Sequence, residues 1–219
     1  MRGKNEERGR KMTHTQMILF FIFAIIGHIL CGISDCLITY APDGKVNLIN
    51  FKDYENTSKA FARMPLKNLS RAILLGVLAM TLEIFGYLAL CIWMKDYSTV
   101  YYWIMYAATL IMFISIALHH MICCIVEWFF VKLNRTSEAL TAVWDFFQDT
   151  RYTMYIAYLA MIVFAVAFFL AVVTGKTSLP AWACIFNLLP IAIVILPTKL
   201  PAKANIIGAL MFIGLLFVI

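Results

Sequence analysis

Long apolar runs, separated by shorter polar stretches, dominate the chain from residue 17 onward. Each run is close to the roughly 20 residues that a helix needs to cross a bilayer. Backbone in lipid must be helical, because only a helix satisfies its own hydrogen bonds there. The pattern predicts six spans, at about residues 17–40, 72–94, 101–131, 152–173, 179–197 and 204–219.

These spans predict an all-α, polytopic membrane protein, a bundle of about six transmembrane helices. The spans form a single transmembrane domain, residues 17–219, which follows a basic N-terminal tail, residues 1–16. The fifth span contains Pro180, Asn187 and Pro190. A break there would expose backbone at a binding site, but a kink in a continuous helix is the simpler expectation.

Two long connections have an amphipathic pattern and are expected at the membrane surface. The first, residues 41–71, opens with the turn sequence Pro42-Asp43-Gly44. Its spaced apolar residues are Phe51, Tyr54, Phe61 and Met64. In the second connection a short helix is predicted over residues 137–147, with Leu140, Val143, Trp144 and Phe147 on one side.

Composition excludes a soluble domain. The chain is 63% hydrophobic and 14% charged, whereas soluble domains are about 45–50% apolar and about 25% charged. The net charge of +6 lies in the tail and loops, where lipid headgroups account for it. We therefore expect membrane lipids as partners and no nucleic acid.

The distribution of basic residues bears on orientation. The tail alone favours a cytoplasmic N-terminus, although the count over all loops favours the reverse. We expect an integral protein of the plasma or inner membrane with its N-terminus inside.

Ionisable groups within the spans are the candidate functional residues, because a charge at a helix centre costs about 2.5–3.5 kcal/mol. They are His28, Asp35, Glu83, His119, His120 and Glu127. Their spacing repeats in the first and third spans, at positions i, i+3 and i+7: His28, Cys31 and Asp35, then His120, Cys123 and Glu127.

Each triplet forms one stripe along its helix. Because the two helices run in the same direction, Asp35 and Glu127 are expected at similar depth, near the long connections. Each histidine would lie about 10 Å deeper, at 1.5 Å per residue. Glu83 is expected near the middle of the second span.

Three uses fit these stripes. His28, His119 and His120 are candidate ligands for zinc or another divalent transition metal. Asp35, Glu83 and Glu127 are candidate catalytic acids and bases, and the same groups would also serve as a proton relay. A purely structural role, with acids and histidines paired across helices, is the third use.

Ser34 is a further catalytic candidate, since its hydroxyl lies beside Asp35 and would act as a nucleophile. The simpler expectation is that this hydroxyl bonds to the backbone of its own helix.

The segment GISDCLITYAPDG, residues 32–44, places an acid near the end of the first span and then a Tyr-x-Pro exit. With the later His119-His120 pair, it resembles uncharacterised bacterial six-span membrane proteins of unknown function, which implies no activity. Ser34, Asp35 and the histidines also resemble the ceramidase-like superfamily of intramembrane hydrolases. That superfamily builds a zinc site on seven spans, and the lack of a histidine in the last spans here counts against membership.

The favoured functional hypothesis is an intramembrane metal-dependent or acid–base enzyme that acts on a lipid or other amphiphile. One alternative is a proton-coupled small-solute transporter that uses the same residues, with a homodimer as its expected assembly. The other alternative is a structural or accessory membrane subunit.

Overall fold

The computed structural model of the chain describes residues 12–46 and 51–219. The helices are α1 His14–Thr39, α2 Tyr54–Phe61, α3 Leu66–Met94, α4 Thr99–Lys132, α5 Ser137–Thr150, α6 Tyr152–Val173, α7 Leu188–Ile195 and α8 Lys203–Leu216, with a 3-10 helix at Ala181–Phe186. The strands are β1 Tyr40–Ala41 and β2 Gly44–Lys45, which pair as a small antiparallel hairpin. The predicted all-α helical bundle is confirmed. Residues 1–11 of the predicted tail lie outside the described residues, and α1 already begins at His14.

Four helical segments in the described ranges are long and apolar enough to cross a membrane: α1, α3, α4 and the stretch Ser137–Val173 that contains α5 and α6. The regions of the last two predicted spans are shorter. One is divided between the 3-10 helix and α7, and the other is the 14-residue α8. The structure therefore supports a membrane protein, while the count of six crossings stays a prediction.

Helical structure is interrupted at Asn187, so the predicted kink in a continuous fifth helix is wrong. Asn187 has an extended backbone between the 3-10 helix and α7. Its side-chain oxygen accepts a hydrogen bond from the Leu189 amide at 3.0 Å, and its amide donates to the Ala165 carbonyl of α6 at 3.0 Å. Pro190 fits in the first turn of α7, where its missing N–H has no helical partner to lose. The side chain thus replaces the hydrogen bonds that a continuous helix would have made.

The helices close into a ring. Going round it, α1 packs on α3, α3 on α4 and α4 on α6; α6 then contacts the 3-10 helix and α7, which contact α8, and α8 returns to α1. The main hydrophobic core lies inside this ring. Its largest fully buried side chains include Phe21, Phe164, Phe212 and Met211.

Hydrogen bonds tie the connections together at each end of the ring. At one end the Tyr97 and Ser178 hydroxyls, from the two short connections, are 2.7 Å apart. At the other end Arg135, which follows α4, donates from Nε to the Phe61 carbonyl at 2.8 Å and from Nη2 to the Met64 carbonyl at 3.4 Å. The two long connections therefore share one end, with a second hydrophobic cluster beneath α2 and α5.

The β1–β2 hairpin is attached to the segment after α2 through a charged pair. A carboxylate oxygen of Asp43 accepts from the Arg63 backbone amide at 2.8 Å, and the other accepts from Arg63 Nε at 2.6 Å. The Arg63 guanidinium lowers the pKa of this carboxyl. Of the apolar residues predicted in this connection, Phe51, Phe61 and Met64 are buried, whereas Tyr54 is exposed.

Candidate functional site

The ring of helices encloses a cavity of about 260 Å³. Most of its wall is apolar, with methionine and aromatic side chains from α3, α4 and α6. Its polar lining is supplied by His28, Cys31, Asp35, Glu83, Tyr87, His119, His120, Cys123, Tyr158 and Asn205. Five of the seven residues predicted as a site from sequence therefore line one space: His28, Asp35, Glu83, His119 and His120.

The centre of this polar lining is the pair formed by Asp35 and His120. Asp35 Oδ1 of α1 lies 3.4 Å from His120 Nδ1 of α4. On the other side of its imidazole, His120 Nε2 lies 3.0 Å from Ser34 Oγ. Ser34 Oγ donates to the Ala72 carbonyl of α3 at 2.8 Å, so His120 Nε2–H donates to Ser34 Oγ. Carboxylate, imidazole and hydroxyl thus follow one another across three helices.

Asn205 of α8 joins Asp35 to the second histidine. Its side-chain amide donates to Asp35 Oδ2 at 2.8 Å, and its oxygen lies 3.3 Å from His28 Nδ1. An amide oxygen only accepts, so His28 carries its proton on Nδ1. Glu83 Oε2 also lies 3.4 Å from that nitrogen. His28 Nε2 is then free to accept from the Tyr87 hydroxyl at 3.4 Å.

These contacts form one continuous hydrogen-bonded network across α1, α3, α4 and α8. In order, its members are Tyr87, His28, Asn205, Asp35, His120 and Ser34. Each step places a donor against an acceptor, with His120 donating from both ring nitrogens because a carboxylate only accepts. The Asn205 amide is neither an acid nor a base, so it holds the two halves in position, and proton exchange is confined to Asp35 and His120.

Exposure separates the two acids of the cavity. The Asp35 side chain is 33% exposed, whereas that of Glu83 is 7% exposed. Glu83 Oε1 has no hydrogen-bond partner among the described residues. Asp35 is therefore the acid best placed to meet water or a substrate, and Glu83 keeps one acceptor available deeper in the cavity.

Glycines on neighbouring helices make room for both histidines. A Cβ atom at Gly76 of α3 would collide with the imidazole of His120, and one at Gly208 of α8 would collide with that of His28. Small residues at such positions allow helices to approach closely. Here the space they leave is filled by a histidine ring.

Two predicted site residues lie off the cavity. Glu127 is fully buried, does not line the cavity, and has no hydrogen-bond partner for either carboxylate oxygen among the described residues. The structure therefore does not bring Glu127 together with Asp35. Ser34 is also fully buried beside the cavity. Its hydroxyl bonds to Ala72 on α3, which corrects the expectation that it bonds to its own helix.

The three predicted metal ligands do not converge. His119 Nδ1–H donates to Thr153 Oγ1 at 3.1 Å, because that hydroxyl already donates to the Thr150 carbonyl. His119 Nε2 faces the Cys123 thiol at 3.5 Å. Within residues 12–46 and 51–219, no three His, Cys, Asp or Glu side chains lie close enough together to hold a metal ion. Each histidine instead has hydrogen-bonding partners of its own.

Two members of the network were not assigned from sequence. Asn205 is conspicuous as one of the few polar residues of the last predicted span, but its partners lie on α1, 170 and 177 residues away. Tyr87 follows Glu83 by one helical turn and so shares its face, a signal that was available in the sequence.

Comparison with known proteins identifies a family, but one whose function is unknown. Residues 11–218 match a family described as a family of unknown function (DUF6796). No curated protein matches the chain, and no solved structure matches it. The match agrees with the resemblance to membrane proteins of unknown function, and the chemistry must be argued from the site.

Proposed function

The chain belongs to the family of unknown function DUF6796, and we propose that it is an intramembrane enzyme performing acid–base chemistry on a lipid or other amphiphile. The observation that carries this proposal is the hydrogen-bonded network that borders the cavity. Half-enclosed, mainly apolar pockets with a few convergent polar groups are the usual form of small-molecule sites.

Asp35 and His120 are the pair that exchanges a proton with the substrate. Each carboxylate oxygen accepts more than one hydrogen bond, so Asp35 can receive a substrate proton while keeping His120 and Asn205 as partners. Ser34 and the Ala72 carbonyl hold the far side of the imidazole. With His120 Nδ1–H donating to Asp35 Oδ1, the carboxyl of Asp35 holds the proton that it takes from an attacking water or hydroxyl, and passes it to the leaving oxygen or nitrogen as the bond of that atom to the substrate breaks.

Two observations favour an enzyme over a transport path. The network ends at Tyr87, whose ring is enclosed edge-on by Phe113, Phe164 and Phe212 at centroid distances of 5.0–5.2 Å. A hydrogen-bonded network that ends among aromatic rings offers no path for protons across the bundle. The apolar cavity wall, with Met80, Met112 and Met161, also suits the hydrocarbon part of an amphiphile.

We also infer that the chain crosses the plasma or inner membrane six times, with its N-terminus in the cytoplasm. The two short connections meet at one end through Tyr97 and Ser178, and the two long ones meet at the other through Arg135. Successive connections therefore lie at alternate ends of the bundle, as expected if each intervening segment crosses the membrane once.

The test is turnover of lipid by purified protein reconstituted in nanodiscs with a total lipid extract, followed by mass spectrometry of the products. We expect Asp35→Asn and His120→Gln to lower turnover by about 10²-fold or more, the usual contribution of a positioned acid or base. Gly76→Ala should do the same, because it displaces the His120 ring without removing a titratable group.

Matched controls come from outside the cavity. Asp145→Asn removes an exposed carboxylate of α5, and Gly44→Ala adds a Cβ that meets only Ala60 at 3.8 Å or more. Both should retain turnover. Turnover should also persist after treatment with a zinc chelator. Proton-coupled solute flux that is lost in Glu83→Gln, with no lipid product from any variant, would overturn the proposal in favour of the transporter.

A further inference from the structure

A second concave surface lies on the outside of the bundle, where α8 packs against α1. This α1–α8 groove has a volume of about 330 Å³. Its walls include Ile29 and Ile33 of α1 and Ile206 and Ala209 of α8. Ile29 and Ile33 are 55% and 49% exposed on a helix that is apolar enough to cross a membrane. The groove therefore faces the hydrocarbon of the bilayer.

The groove and the internal cavity share two residues, His28 and Asn205. Both side chains are more than nine-tenths buried, and they are hydrogen-bonded to each other at 3.3 Å. This pair is consequently the partition between the lipid-facing groove and the cavity. A molecule lying in the groove would contact the same network that borders the cavity.

The charges around the partition define the chemistry of the occupant. Of the described residues that line the groove and the cavity, none is a lysine or arginine, and two are acids, Asp35 and Glu83. An anionic headgroup would meet these two carboxylates and no lysine or arginine, and the Nδ1 atoms of His28, His119 and His120 already face Asn205, Thr153 and Asp35. Placing an anion there is costly in a buried site. A neutral hydroxyl, ester or amide would find the donors and acceptors of His28 and Asn205.

We propose that the α1–α8 groove binds the hydrocarbon chain of a neutral amphiphile and leads its polar group to the His28–Asn205 pair. The occupant carries a hydroxyl, ester or amide as its polar group. This names the substrate class of the enzyme proposed above and rests on that function for turnover. Binding of the chain in the groove does not depend on turnover.

The experiment uses a monoacylglycerol whose acyl chain carries a diazirine, added to the full-length protein in nanodiscs, irradiated and mapped by mass spectrometry. Adducts should be several-fold more frequent on the groove residues of α1 and α8 than on the outer surface of α3. Leu74 and Val77 of α3 are 72% and 52% exposed, so exposure to lipid alone predicts at least equal labelling there.

Filling the groove supplies the matched variants. Ala209→Trp should remove the excess of adducts, whereas Leu74→Trp, on the outer surface of α3, should leave it unchanged. A phosphatidic acid with the same photoreactive chain should not give the excess. Equal labelling of the groove and α3, or equal labelling by the anionic probe, would overturn the proposal.

The rate of cysteine alkylation tests the same proposal in the wild-type protein, so the result does not depend on whether a variant folds. Cys36 lines the groove and is half-buried, as is Cys184, which does not line it. Monoacylglycerol should slow alkylation of Cys36 by a maleimide in the wild-type protein and leave Cys184 unaffected. Equal effects on both thiols would contradict the proposal. Asp35→Asn should keep the groove labelling, so a failure of the enzymatic function is distinguished from a failure of binding.

Discussion

At the scale of single residues, Glu83 and Glu127 are both acids buried within helices long and apolar enough to cross a membrane, yet their surroundings differ. Glu83 faces the cavity and has His28 as a partner through one oxygen. Neither oxygen of Glu127 has a hydrogen-bond partner among the described residues. A buried polar group without a partner retains its full cost of desolvation, so the two acids should respond oppositely to apolar replacement.

We expect Glu127→Met to raise the free energy of unfolding by about 1–3 kcal/mol, because it removes an unsatisfied buried group while keeping the volume similar. Glu83→Met should lower it, since it leaves the His28 imidazole with one partner fewer. Thermal unfolding in detergent, with both variants beside the wild type, measures this difference. A loss of stability in Glu127→Met would show that its carboxyl has a partner that contributes to folding.

Much of the candidate site could be predicted at this scale, because spacing along one helix fixes which side chains share a face. That rule selected His28 and Asp35 on α1. It also selected Glu127, which shares a stripe with His120 but lies seven residues further on, beyond the end of the cavity. Ser34 is turned about 100° from Asp35 and so faces α3. The spacing along a helix shows which way a side chain points, but how far a cavity extends along that helix depends on the neighbouring helices.

At the scale of elements, the break between the 3-10 helix and α7 depends on one side chain. Asn187 is fully buried; it caps α7 through the Leu189 amide and bonds across to the Ala165 carbonyl of α6. The prolines and the asparagine in the sequence indicated an irregularity in this region. It could not choose between a kink and a break, because the deciding partner, Ala165, lies on another helix.

Replacing Asn187 should separate its two roles. Asn187→Ser keeps an oxygen that can accept from the Leu189 amide but is too short to reach Ala165, whereas Asn187→Leu loses both contacts. We expect Asn187→Leu to cost about 1–3 kcal/mol of unfolding free energy, with Asn187→Ser less destabilising, given the usual values for a cap and a buried hydrogen bond. Thermal melts of the purified variants test the order. The reverse order would mean that the cap contributes little.

At the scale of the whole molecule, α8 closes the ring against α1. A Cβ at Gly32 would lie 3.5 Å from the Cβ of Ala202, which precedes α8. That separation is close to the roughly 3.5–4.5 Å found between the Cβ atoms of a disulfide. The approximate bounds of the first four long helices followed from the sequence, but the contact that closes the ring joins residues 170 positions apart and required the structure.

The double variant Gly32→Cys/Ala202→Cys should therefore form a disulfide on mild oxidation. The background should carry Cys36→Ser, so that the nearby native thiol cannot compete. Peptide mapping under non-reducing conditions detects the bridge, and either single variant is the control. Two new thiols that react with maleimide but do not bridge would contradict the packing of α8 on α1.

The position of Asn205 also has a consequence for how the protein is made. Its amide is the junction between the His28 half of the network and the Asp35 half, and α8 follows every other helix of the ring in the chain. While the ribosome is still producing the earlier helices, those two halves have no link. Asp35 would then gain its Asn205 partner, and the two halves their link, only once α8 has been inserted, so a chain cut short before α8 should lack the turnover proposed above.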